Sequence, residues 1–306
     1  MGEFPTRITA ADFVTPPEFA DSRLAAEGSG RIGGTRFALA LRKNETFLAD
    51  LYEQIPIRVF PVQCGPAQPL LVYLASPTAG LMDGDAHAIH ICAGAGTAVV
   101  VTGQSATRVH PCCRGFCTQQ WDITVADGAV LVLLPGPTIP YAGSRFFHRV
   151  NVRLGQEARF IWGDTWFAGR YARGQESEQF RFAEIVQDMQ VVRENQLVFR
   201  DRFAWHGPWT PEVAHWHFGD HPCIGNLFST GWFPATPSSA AKPASVEFMT
   251  SAGDTCRRWA GHSSAVIDAV ARTALQLASS PIAGFINPPW LLAGCDLART
   301  HWFVAE

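Results

Sequence analysis

Three short stretches of the sequence concentrate side chains that bind metals or transfer protons. AGLMDGDAHAIHI (79–91) holds two carboxylates and two imidazoles, HWHFGDH (215–221) holds three imidazoles, and HPCCRGFC (110–117) holds a histidine and three thiols. Imidazole and thiolate groups bind Zn, Ni and Cu, whereas carboxylates suit harder cations. Each stretch is therefore a candidate metal site, and each has a purely structural alternative.

The first stretch has the composition of a turn that leads into a strand. Asp83, Gly84 and Asp85 stand where the chain must reverse, because glycine tolerates a positive φ and aspartate stabilises turns. His87 and His90 are three residues apart, so in a strand they point to opposite faces and cannot bind one ion together. The sequence predicts a turn and a strand here, in which either carboxylate could still meet an ion.

The second stretch contains the strongest metal-like cluster, His215, His217 and His221. If the segment is a strand, His215 and His217 project to one side and could bind Ni, Zn or Cu. The alternative is an aromatic turn with solvated imidazoles, and we favour it because no acidic groups are evident to orient the rings. A β-fold metalloenzyme that uses these histidines stays an alternative function.

The third stretch is a loop predicted between two strands. Cys112, Cys113 and Cys117 could hold a soft metal with His110, or belong to an ordinary cysteine-containing hairpin, and we favour the hairpin. The chain has eight cysteines in 306 residues, without the spacing of small disulfide-rich domains. They are typical of reduced, buried thiols.

The composition describes an apolar-rich globular chain. Hydrophobic residues make up 47% and charged residues 17%, and the net charge of −3 attracts neither nucleic acid nor an anionic membrane. Apolar runs such as GAVLVLLP are far shorter than the ~20 residues of a membrane-spanning helix, and MGEFPTRITAAD has no signal core. We expect a cytoplasmic protein without nucleic-acid or membrane partners, and no complete catalytic motif is present.

A recurrent pattern predicts the strands that position these residues. The stretches at 89–95, 123–129 and 150–156 each place β-branched residues at alternate positions before a glycine, and a second apolar strand follows each of them. Units that cannot bury their own faces must stack, so the pattern predicts a mainly β, layered, solenoid-like architecture, with a β-sandwich as the alternative. A further strand pair is predicted to turn at Asn195.

One helix is predicted near the C-terminus, over about 264–279. Apolar residues fall at helical spacing from Val266 to Leu277, Ser264 can cap the start, and Pro281 ends the helix. Strands and turns account for the remaining elements that the sequence predicts.

The chain from about residue 36 to about residue 280 resembles the urease accessory proteins of the UreD (UreH) family. In the family's turn motif, Gly-Gly-x-x-Gly-Gly-Asp, the matching residues are Gly80, Gly84 and Asp85. Further similar segments are a Gly-Ala turn, a Thr-x-x-x-Ala-Thr-Lys strand, a Gly-Ala-x-Leu-x-x-x-Pro-x-x-x-Ile segment and a Glu-x-x-x-x-Gly-Arg segment, matched in order at 94–95, 102–108, 128–139 and 164–170.

Some positions depart from the family pattern. Ala79 and Asp83 replace glycines of the turn, Pro137 stands where the family commonly has glutamate, and Asp164 stands in for a glutamate. A divergent structural homologue without urease partnership is therefore a further alternative. The resemblance implies an organisation into an N-terminal tail or flap, a UreD-like β domain and a C-terminal extension, over residues 1–33, 34–283 and 284–306.

The resemblance implies a non-catalytic protein of nickel-enzyme assembly. UreD-like proteins bind the apo-urease subunits and recruit UreF and, through it, the GTPase UreG, so that a lysine carbamate and nickel are installed. The resemblance implies no tightly bound cofactor, with Ni²⁺ held only transiently along a water-filled passage. Asp85 and Asp164 are the family-matched carboxylates expected to line that passage, with turn capping as the alternative.

Overall fold

The computed structural model describes residues 7–22, 24, 31–64, 68–171, 178–231 and 243–278. In chain order their strands and α-helices are β1 (Ile32–Arg42), β2 (Glu45–Gln54), β3 (Arg58–Gln63), β4 (Leu70–Ala75), β5 (Ala86–Ala93), β6 (Ala98–Gly103), β7 (Thr107–Val109), β8 (Cys117–Val125), β9 (Val130–Leu134), β10 (Pro137–Pro140), β11 (Arg145–Leu154), β12 (Arg159–Phe167), β13 (Glu184–Arg193), β14 (Gln196–His206), α1 (Pro211–Phe218), β15 (Cys223–Ser229), β16 (Ala244–Met249), β17 (Thr255–Gly261) and α2 (Ser263–Ala278).

These strands form two sheets that face each other across an apolar core. The first sheet has the order β14-β13-β11-β8-β5-β1-β2, and the second has the order β16-β17-β15-β12-β9-β6-β4-β3, with β10 beside β12 and β7 beside β10. The central strands of each sheet run parallel. Parallel strands are covered on both faces, which agrees with their nearly continuous apolar sequences.

The predicted glycine-punctuated repeat corresponds to an alternation of the chain between the sheets. The first strand of each unit (β5, β8 and β11) lies in the first sheet, and the strand after the glycine turn (β6, β9 and β12) lies in the second. Gly128 in one of these turns has a φ of 68°, a conformation that favours glycine. The mainly β class is confirmed, but the two sheets are open and do not close into a solenoid.

Helix α2 covers the outer face of the second sheet. Val266, Val270 and Ala274 are buried against the apolar side chains of that face. The predicted helix near the C-terminus is confirmed. It begins one residue earlier than expected, so Ser264 lies within its first turn and does not cap it. The expected last residue of the helix and the predicted extension at 284–306 fall outside the described residues.

Residues 7–22 cross the outer face of the first sheet, where the sequence predicts a tail or flap. The side-chain amide of Gln54 pairs with the backbone N–H and C=O of Ile8, at 2.9 Å for both bonds. The amide of Gln120 pairs in the same way with Val14, at 3.1 and 2.7 Å. The side chains of two glutamines therefore hold this segment on the sheet.

The predicted strand pair with its turn at Asn195 is confirmed. It comprises β13 and β14, which are antiparallel, and Asn195 has a φ of 64°. Among the described residues, the helices are too short or too polar for any of them to cross a membrane.

Candidate functional site

A row of polar side chains crosses the inner face of the first sheet. His87, Gln119, His148 and Gln187 are register partners on the neighbouring parallel strands β5, β8, β11 and β13. His87 and His148 are each 3% exposed, and Nδ1 of His148 lies 3.2 Å from Oε1 of Gln187. The residue two positions further along each strand belongs to the core between the sheets, namely Ile89, Trp121, Val150 and Met189. The row therefore faces that core.

A second row faces the same interior from the second sheet. Asp164, Asn226 and Arg258 are register partners on β12, β15 and β17. The buried Asp164 carboxylate accepts hydrogen bonds from Nδ2 of Asn226 at 2.9 Å and from Nε1 of Trp162 at 3.0 Å. At the edge of the molecule, Arg258 forms an ion pair of 2.7 Å with Asp201 of the first sheet. The row thus runs from a buried carboxylate to an exposed ion pair.

Aromatic rings connect the two rows. The ring of His148 lies 5.9 Å from the ring of Trp162 and 5.8 Å from that of Trp166. Trp162 is the residue that donates a hydrogen bond to Asp164. A histidine of the first sheet and an aspartate of the second therefore share one indole neighbour.

Burial shifts the pKa values of the titratable groups in these rows. Desolvation raises the pKa of Asp164 to about 6, although the hydrogen bonds from Trp162 and Asn226 act in the opposite direction. Desolvation lowers the pKa values of His87 and His148 to about 4. Both imidazoles are therefore neutral at neutral pH, the form that donates a lone pair to a transition metal, and Asp164 is ionised only above about pH 6.

A cavity of about 70 Å³ lies at the His87 end of the first row. Its lining includes Ser105, Arg108 and Gln119 together with His87, whose buried Nε2 has no hydrogen-bond partner among the described residues. Gly80 of the turn motif also lines it, and a Cβ on this glycine would stand 2.3 Å from the backbone oxygen of Arg108. Only glycine fits there. The cavity has room for a few water molecules beside an unpartnered imidazole nitrogen.

The carboxylates of the turn motif are occupied by backbone donors. Asp85 is 3% exposed and accepts from the N–H groups of Arg31 and Met82, at 2.5 and 2.8 Å. Asp83 accepts from the three consecutive N–H groups of residues 113–115, at 2.8 to 3.0 Å. Both aspartates therefore cap loops. For Asp85, capping is the role that the sequence offered as an alternative to lining a passage.

HWHFGDH forms the second half of helix α1 and the turn after it, so the interpretation of this segment as a strand or an aromatic β-turn is wrong. Thr210 caps the helix, and its side chain accepts from the N–H of residue 213 at 3.4 Å. Nδ1 of His215 lies 3.0 Å from Asp220, whereas the ring of His217 stacks on Trp209 at 4.7 Å. The helix thus directs these two rings to different neighbours. In the described part of the chain, no three His, Cys, Asp or Glu side chains are placed to hold a metal.

The cysteine loop brings only two of its thiols together. Cys112 and Cys117 each donate to the backbone oxygen of Arg145 at 3.5 Å. Cys113 is exposed, and Nε2 of His110 hydrogen-bonds a backbone oxygen at 3.0 Å. The four side chains do not converge on one point.

The polar rows are the feature that sequence reasoning missed. His148 and Gln187 interrupt strands whose other inward positions are apolar, in FFHRVNV and EIVQDMQVV. A polar residue at an inward position of a buried strand is a usable signal. The alignment of such positions on four strands depends on register, which the repeats alone did not fix.

Comparison with known proteins identifies the class. Residues 31–285 match the family described as UreD urease accessory protein. The chain is 33% identical over 233 residues to the urease accessory protein UreD of Deinococcus radiodurans, which covers 73% of this chain and 78% of that protein. It is 34% identical over 190 residues to urease accessory protein UreD 2 of Synechococcus sp. strain JA-3-3Ab, covering 60% of this chain and 68% of that protein.

A third relative is the urease accessory protein UreD of Sporosarcina pasteurii, which is 30% identical over 164 residues, or 52% of this chain and 63% of that protein. The chain belongs to the UreD urease accessory protein family. Its relatives are named as accessory proteins, and this protein is accordingly a factor of urease maturation and not an enzyme. The alternative of a β-fold metalloenzyme built on His215, His217 and His221 is therefore wrong.

Proposed function

We propose that this protein binds the apo-urease subunits, recruits UreF and through it UreG, and helps to deliver Ni²⁺ to the urease active site. Family membership supports the assembly role. The observation that carries the nickel route is the pair of polar rows in the core between the sheets. These rows offer imidazole nitrogen and carboxylate oxygen within an otherwise apolar interior, and both atom types bind divalent transition metals.

The route needs donors that hold nickel weakly enough to release it. His87, His148 and Asp164 lie on different strands and belong to no cluster of three ligands in the described part of the chain. A single imidazole or carboxylate, completed by water, holds a divalent ion far less tightly than a closed set of four protein ligands. Nickel is thus a transient cargo in this proposal, and no tightly bound cofactor is required.

The entry of the proposed route is the cavity beside the turn motif, and its far end is the ion pair between Asp201 and Arg258. In between, His148 and Asp164 have the indole of Trp162 as a common neighbour. In this proposal Asp164 is the carboxylate that lines the route, which its burial beside Trp162 and Asn226 supports. Asp85 instead contributes by fixing the turn that shapes the cavity.

In this proposal the two sheets, between which the chain alternates, form the rigid part of the protein. We infer that successive units stack as layers, so that one layer of polar side chains can cross the core without opening it to solvent. The working location that follows from the partners is the cytoplasm, where apo-urease is assembled.

The test is urease activation in cells that express the urease operon with variants of this protein. Asp164→Asn and His148→Gln keep the approximate size of each side chain but remove the ionisable group. We expect both variants to bind apo-urease and UreF as the wild type does. At limiting nickel they should give several-fold lower urease activity and nickel content, and excess nickel should restore part of both.

The matched control is Glu157→Gln, because Glu157 is an exposed carboxylate in a turn outside the rows. It should leave activation unchanged at every nickel concentration. If Asp164→Asn and His148→Gln activate urease as well as the wild type does at limiting nickel, the nickel route is contradicted but the assembly role is not. Failure of the wild-type protein to bind either apo-urease or UreF would instead favour a divergent homologue without urease partnership.

A further inference from the structure

Two thiols of the loop between β7 and β8 converge on one oxygen atom. Sγ of Cys112 and Sγ of Cys117 each lie 3.5 Å from the backbone oxygen of Arg145. The intervening segment contains only four residues, so the two side chains close a short loop. Both cysteines are free thiols.

The loop is held in this shape by contacts on both sides. The Asp83 carboxylate binds the N–H groups of residues 113–115, which together form a small anion-binding nest. The guanidinium of Arg145 donates to the backbone oxygen of Gly115 at 3.0 Å. These contacts fix the backbone between the two cysteines, while both Sγ atoms lie on the same carbonyl oxygen.

The two thiols differ in accessibility and acidity. Cys112 is 8% exposed, whereas Cys117 is fully buried. The neighbouring Cys117 side chain lowers the pKa of Cys112, and burial raises the pKa of Cys117 well above its ordinary value. A more acidic outer thiol beside a less acidic inner thiol is the arrangement of an attacking and a resolving cysteine.

We propose that Cys112 and Cys117 form a reversible disulfide on exposure to hydrogen peroxide. The Cys112 thiolate attacks one peroxide oxygen, the O–O bond breaks, hydroxide leaves and a sulfenic acid forms. The Cys117 sulfur then bonds to the Cys112 sulfur, its proton leaves with the sulfenic hydroxyl, and water is released. Two thiols and one hydrogen peroxide thus give one disulfide and two water molecules. A dithiol reductant restores both thiols.

Mass spectrometry of the full-length protein tests this site. Arg114 lies between the two cysteines, so trypsin separates residues 109–114 from residues 115–145 unless a disulfide joins them. After treatment with equimolar hydrogen peroxide and alkylation of the free thiols, we expect the two peptides to appear as one linked species that has lost two hydrogen atoms. Treatment with dithiothreitol should return both peptides to the free form.

Serine variants assign the bond. Cys113→Ser removes the exposed neighbour and should leave the linked species at the wild-type level, whereas Cys112→Ser and Cys117→Ser should each abolish it. Because Cys113→Ser alters only an exposed side chain, its result stands even if a core variant fails to fold. The proposal is overturned if the link persists in Cys112→Ser, or if Cys112 stays fully alkylatable in the wild type and in Cys113→Ser after peroxide treatment.

Discussion

The turn at 79–85 and the interior rows both bury carboxylates, but they satisfy them with different donors. Asp83 and Asp85 accept hydrogen bonds from backbone N–H groups, which belong to residues distant in sequence or to the turn itself. Asp164 accepts from the side chains of Trp162 and Asn226. Backbone donors are fixed by the fold, whereas side-chain donors can rotate away. A carboxylate of the first kind holds structure, and one of the second kind can exchange a donor for an ion.

The largest expected effect tests the structural half of this comparison. Asp85→Ala leaves two N–H groups without their acceptor in a buried place, so we expect the free energy of unfolding to fall by about 3 kcal/mol. Urea denaturation monitored by tryptophan fluorescence measures this difference. Asp50→Ala, at an exposed position of β2, is the control and should change stability by no more than about 0.5 kcal/mol. Equal effects of the two variants would refute the capping role.

The second prediction concerns the pH dependence of stability at Asp164. Its pKa in the folded protein, about 6, lies above the ordinary value of 3.8, so the folded state binds the proton more tightly than the unfolded state. Ionising the buried carboxyl therefore lowers the free energy of unfolding. This loss of stability is fully present above pH 6 and disappears as the pH falls below about 4.

Asp164→Asn removes this titration. Between pH 4.5 and pH 7.5, the wild type should lose about 2 kcal/mol of unfolding free energy relative to the variant. Parallel urea denaturation of both proteins at the two pH values gives this difference, and other titrating groups, including His87 and His148, cancel from it. A difference that does not change with pH would show that Asp164 is not held in a desolvated state.

The smallest expected effect belongs to Asp83, which is only partly buried. Asp83→Ala removes the acceptor of three N–H groups near the surface, where water replaces it, so we expect a loss of about 1 kcal/mol. Hydrogen exchange should accelerate at residues 113–115 and not at the N–H groups bound by Asp85. Asp83→Asn keeps one carbonyl oxygen and should recover part of the protection. If hydrogen exchange instead accelerated equally at the N–H groups bound by Asp83 and by Asp85, the two capped loops would unfold together.

Much of the fold was predictable because its signals are local. The alternation of apolar residues marked the strands, glycines marked the turns, and helical spacing marked α2. Gly84 has the positive φ expected of the turn, 84°, and His87 and His90 differ in burial as residues three apart on a strand should. The motifs at 79–85 and 102–108 also predict the family that the comparison identifies.

The structure of HWHFGDH (215–221) could not be predicted from local sequence patterns. Spacing alone allowed His215 and His217 to share one face of a strand. The helix signal from Thr210 and Pro211 competes with that interpretation, and in the folded chain the helix forms and places the two rings against different neighbours. The cysteine loop is a similar case, since spacing could not say which two of its three thiols meet.

The sequence by itself determined the family, the mainly β class and the turn chemistry of Gly80, Gly84 and Asp85, because each of these depends on residues close together in the chain. Only the tertiary structure decided that Asp85 is a cap while Asp164 belongs to a polar row through the core. Strand register aligns His87 with His148 and Asp164 with Asn226 across long sequence separations. No local pattern specifies that register, because it is set by the packing of two sheets against each other.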